Sequence, residues 1–521
     1  MSKQSIFLSL SLAACLVLAA CGGGGGDGGD DPPGSGEAPD TTAPVPTLMP
    51  GYTATTPIVV TFNESMDPES LQLAGSIAAM SDGGVWSGTV VENDTLTLTA
   101  LPTTFGTPGW ESGVQTLGFR VADKAGNMIE VPEQPLLIRL QFENFQPAVN
   151  VIGQRDFFSS EDHQGGAAGA GTFADPHGNA GYDEDRDWLF LSDYQAARVL
   201  VYLGLPGVDG ANANHVIGQE NFTDVEQLPT GASSLAYPAQ ASVHDGRLIV
   251  TQAETNRVSI FNDIDALTDL ELDDVDVVLG QGDKNGDDAA CSANGFDIPV
   301  SHHVTPDGKL LVADLKNHRV LVWNQLPEED GAAADLVLGQ ADFDSCESDR
   351  GEAASLATLH SPSAVWSDGV RIVVADRKNN RVLIWQAFPT ENGQPADIVL
   401  DQEGGTLSAP NDDNGDGSSD ETPSARTLHA PYAGVYSNGI QLFVADTDNN
   451  RVLVWNAFPG ESFQPADVVL GQPDFTHGEL NAGQDLPGAN TLGFPSGVML
   501  VRNRLIVTDA GNARYLVFES K

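Results

Sequence analysis

The stretch 372–385 reads IVVADRKNNRVLIW, and its pattern decides the fold of most of this chain. Two apolar, β-branched runs flank a polar turn that ends in an arginine, which predicts two strands joined by a turn. Five other segments share the pattern: LFLSDYQAARVLVY, LIVTQAETNRVSIF, LLVADLKNHRVLVW, LFVADTDNNRVLVW and LIVTDAGNARYLVF. The six arginines, spaced 59 to 70 residues apart, are Arg198, Arg257, Arg319, Arg381, Arg451 and Arg514. Self-similarity at such a period indicates a repeat architecture.

Each repeat contains two further strands, one starting at a proline 19 to 22 residues before the arginine and one ending in Gly-Gln or Asp-Gln. Four strands per repeat predict a propeller blade, because radial repetition protects strand edges. The repeat region begins with a lone fourth strand at 149–154 and ends with only three strands. We therefore expect the lone strand to pair with the strand around 515–518. The sequence predicts an all-β fold whose larger part, 148–521, is a six-bladed propeller closed by this pairing.

The turn Ala-Asp-x-x-Asn-x-Arg resembles the turn of NHL repeats, and six aligned copies carry the resemblance. Gln252 in place of the aspartate, and Ala197 and Ala513 before the arginine, depart from it. The repeated arginines have two interpretations: a ring of anion ligands, or charge-assisted bonds that tie each turn. Their presence in every repeat favours the structural interpretation, because a binding site usually breaks the symmetry of a repeat.

The N-terminus reads MSKQSIFLSLSLAACLVLAAC, with a lysine, an apolar run and small residues at its end. This composition predicts a secretory signal peptide over 1–20. The end Leu-Ala-Ala-Cys resembles the lipobox of bacterial lipoproteins, which implies that Cys21 is lipidated and anchors the chain in the cell envelope. By the same resemblance, Gly22 after the cysteine implies the outer membrane. A soluble secreted protein with a chance cysteine is the alternative.

Residues 21–46, rich in Gly, Asp and Pro, predict a flexible tether. From residue 47 the chain changes to short β-runs separated by turns, as in a small β-sandwich. The phrases TFNESMDPESL and VADKAGN resemble bacterial Ig-like domains, which implies such a domain over 47–142. This domain contains no His or Cys, and a spacer role is expected for it.

Charge and cysteine content restrict the function and the compartment. Acidic residues outnumber basic ones 73 to 24, a net charge of −49 that excludes nucleic acid as a partner because the surface repels phosphates. After export and lipidation, only Cys291 and Cys346 remain as thiols. In an oxidising compartment such a pair suggests a disulfide, with two free thiols as the alternative.

All ten histidines fall in the repeat region, and several precede or follow the prolines that begin the inner strands. The positions expected to face a central channel are His177, His302, His303, His360 and His429. A cluster of imidazoles would bind zinc; polar residues in a wet channel are the alternative. An NHL-like zinc lyase carries metal histidines directly after several such prolines, but here only His177 occupies that place.

One acidic loop has the ligand spacing of a calcium site. Residues 412–420 read DDNGDGSSD, which resembles the first nine positions of an EF-hand-like or thrombospondin-type loop. The expected oxygen ligands are Asp412, Asn414, Asp416, Ser418 and Asp420. Pro423 stands where the strong bidentate glutamate belongs, so an ordinary EF-hand is excluded. A weak structural calcium site and a solvated acidic loop both remain possible.

Two functions from different classes follow from these features. The first is a non-catalytic, envelope-anchored binding protein whose long loops, between the fourth strand of one repeat and the first of the next, contact a glycan, peptide or protein. The second is a secreted propeller enzyme, a lyase or hydrolase, possibly metal-dependent, working in the channel. No catalytic residue is assigned, because no nucleophile-base pair or close carboxylate pair stands out.

Overall fold

The computed structural model describes residues 40–49, 51–102, 109–231, 234–265, 275–402 and 404–521. The predicted signal peptide, Cys21 and most of the predicted tether lie outside these ranges. The described chain is all-β, apart from one short α-helix, Ser76–Met80 (α1), and isolated 3-10 turns. No helix in these ranges combines the length and apolar character needed to cross a membrane.

The first part of the fold is a pair of four-stranded sheets. Their strands are β1 Pro46–Leu48, β2 Gly51–Thr53, β3 Ile58–Phe62, β4 Met66–Ala74, β5 Val85–Ser87, β6 Thr95–Leu98, β7 Gly113–Asp123 and β8 Met128–Arg139. One sheet has the order β1-β3-β6-β5 and the other β2-β8-β7-β4, with β2 and β8 parallel and the other pairs antiparallel. Alternate residues of β3 are buried, as expected for a strand with one face toward a core.

The second part consists of six four-stranded antiparallel sheets, numbered sheet 1 to sheet 6 along the chain. Their strands begin with β9 Asn150–Ile152, which belongs to sheet 6. Sheet 1 contains β10 Gly181–Asp183, β11 Trp188–Asp193, β12 Arg198–Leu203 and β13 His215–Ile217. Sheet 2 contains β14 Pro238–His244, β15 Arg247–Gln252, β16 Arg257–Phe261 and β17 Val277–Leu279. Sheet 3 contains β18 Pro299–Val304, β19 Leu310–Asp314, β20 Arg319–Trp323 and β21 Leu336–Leu338. Sheet 4 contains β22 Pro362–Ser367, β23 Ile372–Asp376, β24 Arg381–Trp385 and β25 Ile398–Leu400. Sheet 5 contains β26 Val435–Ser437, β27 Leu442–Asp446, β28 Arg451–Trp455 and β29 Val468–Leu470. Sheet 6 contains β30 Pro495–Val501, β31 Arg504–Asp509 and β32 Arg514–Glu519, together with β9.

Apolar side chains join each sheet to the next. A separate buried cluster lies between every consecutive pair from sheet 1 to sheet 6, because both faces of each sheet are apolar. A further cluster joins sheet 6 to sheet 1, with Val517 of β32 packed among Leu191 and Tyr202 of sheet 1. The six sheets therefore form a closed ring.

Strand β9 completes sheet 6. It pairs antiparallel with β32, and the register places Ile152 opposite Tyr515 and Asn150 opposite Val517. The pairing predicted between the first strand of the repeat region and its last strand is confirmed. Closure by a strand from the other end of the chain leaves sheet 6 with four strands, like its neighbours.

The repeated arginines are buried inside the ring. Each side chain is 0% exposed, and in five sheets its Nε donates to the aspartate five residues earlier at 2.7–3.0 Å. In sheet 2 the acceptor is Oε1 of Gln252, at 3.1 Å from Nε of Arg257. The Nη atoms donate to backbone carbonyls of the long loops before and after the same sheet, as Arg451 does to Thr427 and Phe475. These arginines tie the loops together, and their position leaves no exposed ring of anion ligands.

The two-sheet part is joined to the ring by a continuous core. One buried cluster contains side chains of β3, β6 and β7 together with side chains of sheets 5 and 6. Phe142 packs edge-on against Phe443, with ring centroids 6.1 Å apart. The amide of Gln441 exchanges two hydrogen bonds with the backbone of Leu140, at 2.8 and 3.0 Å. Because Gln441 lies in the turn between the first and second strands of sheet 5, the two-sheet part packs against that end of the ring, at sheets 5 and 6.

Candidate functional site

The ring has two ends, and the candidate site lies at the end with long loops. In an antiparallel sheet, the turn between the second and third strands shares one end with the connection from the fourth strand to the next sheet. The arginine bonds described above join these two kinds of segment in every sheet. We call this end the loop face; it is opposite the end covered by the two-sheet part.

Two of the six innermost strands depart from the repeat. Strands β10 and β26 have three residues each, whereas the innermost strands of the other four sheets have six or seven. In sheet 1 the chain after Pro176 instead runs toward the ring axis, helped by Gly178. This glycine has φ of 64°, and a Cβ there would lie 2.3 Å from the carbonyl oxygen of Ala239. Only glycine fits such a close approach without strain.

These two departures bring His177 and Tyr432 together, although 255 residues separate them. Nδ1 of His177 lies 3.1 Å from the carbonyl oxygen of Ala239 in sheet 2, so Nδ1 carries the proton. Nε2 then accepts a hydrogen bond from the hydroxyl of Tyr432 in sheet 5, also at 3.1 Å. The imidazole stacks on Tyr194 of sheet 1, with centroids 5.0 Å apart. Contacts to three sheets place His177 at the axis of the ring.

Burial keeps the His177 imidazole neutral. Desolvation is the largest cause that lowers its pKa to about 4, and the nearby Arg377 guanidinium lowers it further. Burial also raises the pKa of Tyr432 to about 12. At neutral pH both side chains are therefore uncharged hydrogen-bonding groups, which agrees with the bond between them.

Arg377 contributes the charged group of this region. It follows the aspartate in the turn of sheet 4, and the corresponding residues of the six turns are Tyr194, Ala253, Leu315, Arg377, Thr447 and Ala510. The guanidinium carbon lies 4.4 Å from the ring centroid of Tyr432, a cation–π contact. Its Nε is buried and has no hydrogen-bond partner. The turn of sheet 4 thus supplies a cation to the axis that its five counterparts lack.

Aromatic and acidic side chains complete the region. Tyr237 lies 5.4 Å from Tyr194 between ring centroids, and the Tyr194 hydroxyl donates to Glu254 at 3.3 Å. The carboxyl of Asp175 has its pKa raised to about 6, by burial first and then by Asp193 and Asp162. We call the group His177, Tyr194, Tyr237, Arg377 and Tyr432 the central opening.

The other predicted channel histidines lie elsewhere and are held by separate partners. His302 lies in sheet 3, and both of its ring nitrogens are hydrogen-bonded to side chains of sheet 2, Ser242 and Thr251, at 2.6 Å each. Burial lowers the pKa of His302 to about 3 and that of His303, which packs near Trp366, to about 4.

His360 and His429 lie on the loop face. His360 is 3.6 Å from the carboxylate of Asp349, and His429 is 3.6 Å from that of Asp448. The structure does not bring the five predicted histidines together. In the ranges that the structure describes, none of them belongs to a set of three His, Cys, Asp or Glu with ligand atoms within 4.8 Å.

The predicted calcium loop is folded around its own backbone. The buried carboxylate of Asp412 accepts from the amides of Asp416 and Gly417, at 3.1 and 2.8 Å. The side chains of Asn414 and Asp416 each accept from an amide two residues later. Over the described chain, the carboxylates of Asp412, Asp416 and Asp420 do not form a set within 4.8 Å. Ser418 donates its amide to Asp416, and calcium at this loop stays a prediction.

Cys291 and Cys346 are joined by a disulfide, with their Cα atoms 6.3 Å apart. They lie in the long loops that precede sheets 3 and 4, so the bond links neighbouring loops on the loop face. It joins these two loops to each other and includes none of the residues of the central opening.

The sequence analysis singled out His177 but missed Tyr194, Tyr432, Arg377 and Asp175. A signal for the irregular strands was present: the spacing from proline to arginine is 22 in the first repeat and 20 in the fifth, against 19 in the second, fourth and sixth. In the third repeat the spacing from proline to arginine is also 20 residues, because its first turn is longer. This spacing alone therefore does not show which repeats place residues at the ring axis.

No protein-family model matches this chain, and no curated protein matches it in sequence. Solved structures with a related arrangement include an auxiliary nutrient binding protein from Bacteroides thetaiotaomicron, with 10% identity and a TM-score of 0.41 over 92% of this chain and 98% of that one. Virginiamycin B lyase from Staphylococcus aureus has 11% identity and a TM-score of 0.34, over 67% and 97% of the two chains. A gluconolactonase from Xanthomonas campestris has 14% identity and a TM-score of 0.34, over 72% and 99%.

Proposed function

We propose that this chain is a non-catalytic binding protein of the bacterial cell envelope, and that its ligand, a glycan, peptide or protein, binds at the central opening. In this proposal the six sheets are the blades of an NHL-like propeller and the segment 47–142 is an Ig-like domain. The bound ligand would be held by aromatic faces and polar groups presented on a rigid ring.

The observation that carries the proposal is the loss of repeat symmetry at one place. Six similar sheets would present six similar sets of side chains to the axis. Here Tyr194 and Arg377 come from the turns of sheets 1 and 4, and Tyr432 comes from the segment before the first strand of sheet 5. Partly exposed aromatic side chains and a cation at the centre of a ring are the kind of group that binding sites use. Residues that only stabilise the sheets, such as the buried arginines, are repeated in every sheet.

The lipid anchor is a separate part of this proposal. In the proposal, Cys21 carries lipid and the tether leads into the two-sheet part, which lies at the end of the ring opposite the loop face. Mass spectrometry of the mature N-terminus tests the anchor: we expect acylated Cys21, and release of Cys21→Ala from the membrane fraction.

A glycan array and a peptide array, each probed with the mature domain 43–521, test the binding function. We expect a ligand whose affinity falls about tenfold or more in Tyr194→Ala, because an aromatic contact at the centre of a site carries much of the binding energy. Phe158→Ala is the matched control, since Phe158 is an aromatic residue that is 65% exposed on a long loop and is not part of the central opening. Equal loss in both variants would contradict the proposal.

An enzyme acting at the same place is the second candidate. The observation that favours it is Asp175, whose pKa of about 6 suits proton transfer near neutral pH. Chemical change of an array ligand, followed by mass spectrometry and abolished by Asp175→Asn, would support this candidate. Recovery of the bound ligand unchanged would support binding alone.

A further inference from the structure

We propose that Arg377 is the recognition group of an oxyanion subsite in the central opening, and that the ligand is a sugar carrying a carboxylate or phosphate. This inference rests on the proposed binding function and specifies the chemistry of its ligand.

Arg377 is the exception among the arginines of the ring. The other fourteen arginines in 148–521 each have a hydrogen bond or an ion pair. Among the described residues, Arg377 has neither, and its Nε is buried without a partner. A buried donor without an acceptor is costly, and a charged one more so. In a chain with 73 acidic residues, an unpaired arginine at the ring axis indicates that its acceptor comes from a ligand.

The guanidinium is held ready for such an acceptor. A cation–π contact holds the guanidinium over the ring of Tyr432, and Tyr432 is itself held by its bond to His177. A planar guanidinium offers a fork of N–H donors that matches the two oxygens of a carboxylate or phosphate. Because this arrangement exists before a ligand arrives, little side-chain freedom is lost on binding.

The neighbouring tyrosines indicate the rest of the ligand. Tyr194 and Tyr237 are partly exposed and lie beside the His177 and Tyr432 pair. Their rings offer flat apolar faces, and the Tyr194 hydroxyl already engages Glu254. A sugar ring presents an apolar face of C–H groups and a rim of hydroxyls, and it fits this mixture of surfaces. The acidic group of the sugar would then reach Arg377.

Calorimetry with three probes tests the inference: D-glucuronate, D-glucose 6-phosphate and D-glucose. We expect at least one acidic probe to bind about tenfold or more tightly than glucose, the difference given by one charge-assisted hydrogen bond. Binding of glucuronate but not glucose 6-phosphate would identify a carboxylate ligand. Binding of glucose 6-phosphate but not glucuronate would identify a phosphate ligand. Equal affinity for glucose, or no binding of either acidic probe, would overturn the inference.

The matched variants are Arg377→Gln and Lys378→Gln, which remove the same charge from adjacent positions of one turn. Lys378 is exposed, so its variant should retain the preference for the acidic probe, whereas Arg377→Gln should lose it. Equal affinities in the two variants would reject the role of Arg377. Arg377→Gln loses the cation–π contact with Tyr432 but no hydrogen bond, so both variants should stay folded, with unfolding temperatures within a few degrees of the wild type.

A separate result distinguishes this inference from the proposed function. An array ligand that is neutral, and that loses affinity in Tyr194→Ala but not in Arg377→Gln, would keep the binding function and reject the oxyanion subsite. Binding of triglycine but of neither acidic sugar would likewise reject the assignment to sugars.

Discussion

The guanidinium of Arg514, seven residues before Lys521, donates through Nη1 to the backbone carbonyl of Phe157, 357 residues earlier. The same side chain is ion-paired with Asp509 at 2.7 Å and is fully buried. Phe157 belongs to the loop that follows β9, the strand that completes sheet 6. One side chain therefore links the last sheet to the first loop of the ring, as its five counterparts link consecutive sheets.

Replacing Arg514 with Met should destabilise the ring strongly. The change leaves the buried carboxylate of Asp509 without its cation, and breaking such a pair costs about 3–5 kcal/mol. Denaturant unfolding measures the loss. Arg426→Met is the control, because Arg426 is exposed and its removal should cost little. Similar unfolding midpoints for the two variants would contradict this role of Arg514.

Replacing Gln252 with Asp should also be destabilising, although five of the six repeats have Asp at this position. The amide nitrogen of Gln252 donates to the carbonyls of Ser234 and Ala236, whereas the aspartate of sheet 3 accepts from the amide of Asp297. A carboxylate at 252 would face those two carbonyl oxygens; Ser234 would keep its bond from Nη2 of Arg257, but Ala236 would lose its donor, at about 1–3 kcal/mol. A thermal midpoint above that of the wild type would show that the loop of sheet 2 rearranges instead.

His177 should make the protein sensitive to acid. Its pKa is lowered to about 4 in the folded state, against 6.5 when solvated, so the unfolded chain binds the proton more readily. Stability is therefore lost as pH falls from about 6.5 to about 4, by about 3 kcal/mol at 1.36 kcal/mol for each pH unit. His302 and His303 contribute in the same direction. In His177→Gln the dependence of the unfolding free energy on pH should be smaller over this range; parallel curves would show that His177 does not titrate in this way.

Calcium should bind weakly at 412–420, with a dissociation constant of about 10⁻⁴–10⁻³ M, because the bidentate glutamate of stronger loops is missing. Calorimetry of Asp416→Ala should show loss of this binding. Asp413→Ala removes the same charge at a position outside the ligand pattern, and it should bind like the wild type. Identical isotherms for wild type and Asp416→Ala would mean that the loop is a solvated acidic turn held by its Asp412 hydrogen bonds.

Removing the disulfide should lower stability without affecting the central opening. Cys291 and Cys346 close a span of 55 residues, for which the loss of chain entropy in the unfolded state predicts about 4 kcal/mol. The double variant Cys291→Ala/Cys346→Ala should unfold at a lower temperature than the oxidised wild type, and dithiothreitol should reduce that difference. A double variant as stable as the oxidised protein would show that the bond contributes nothing.

The sequence by itself determined the repeat, the four-strand content of each sheet and the pairing of 149–154 with the last strand. Each depends on local patterns: apolar alternation, turn residues, and an unpaired strand left at each end of the repeat region. The structural role of the six arginines also followed from repetition. None of these conclusions needs knowledge of which distant side chains meet.

The tertiary structure alone decided the composition of the central opening. His177, Arg377 and Tyr432 come from three different sheets, and only closure of the ring brings them to one axis. Arg377 lacks a hydrogen-bond or ion-pair partner, whereas every other arginine of the described ring has one. This difference depends on which groups surround Arg377 in space. The sequence shows six similar turns, but the short strands β10 and β26 redirect two segments inward, and side-chain packing at the axis sets which residues remain available to a ligand.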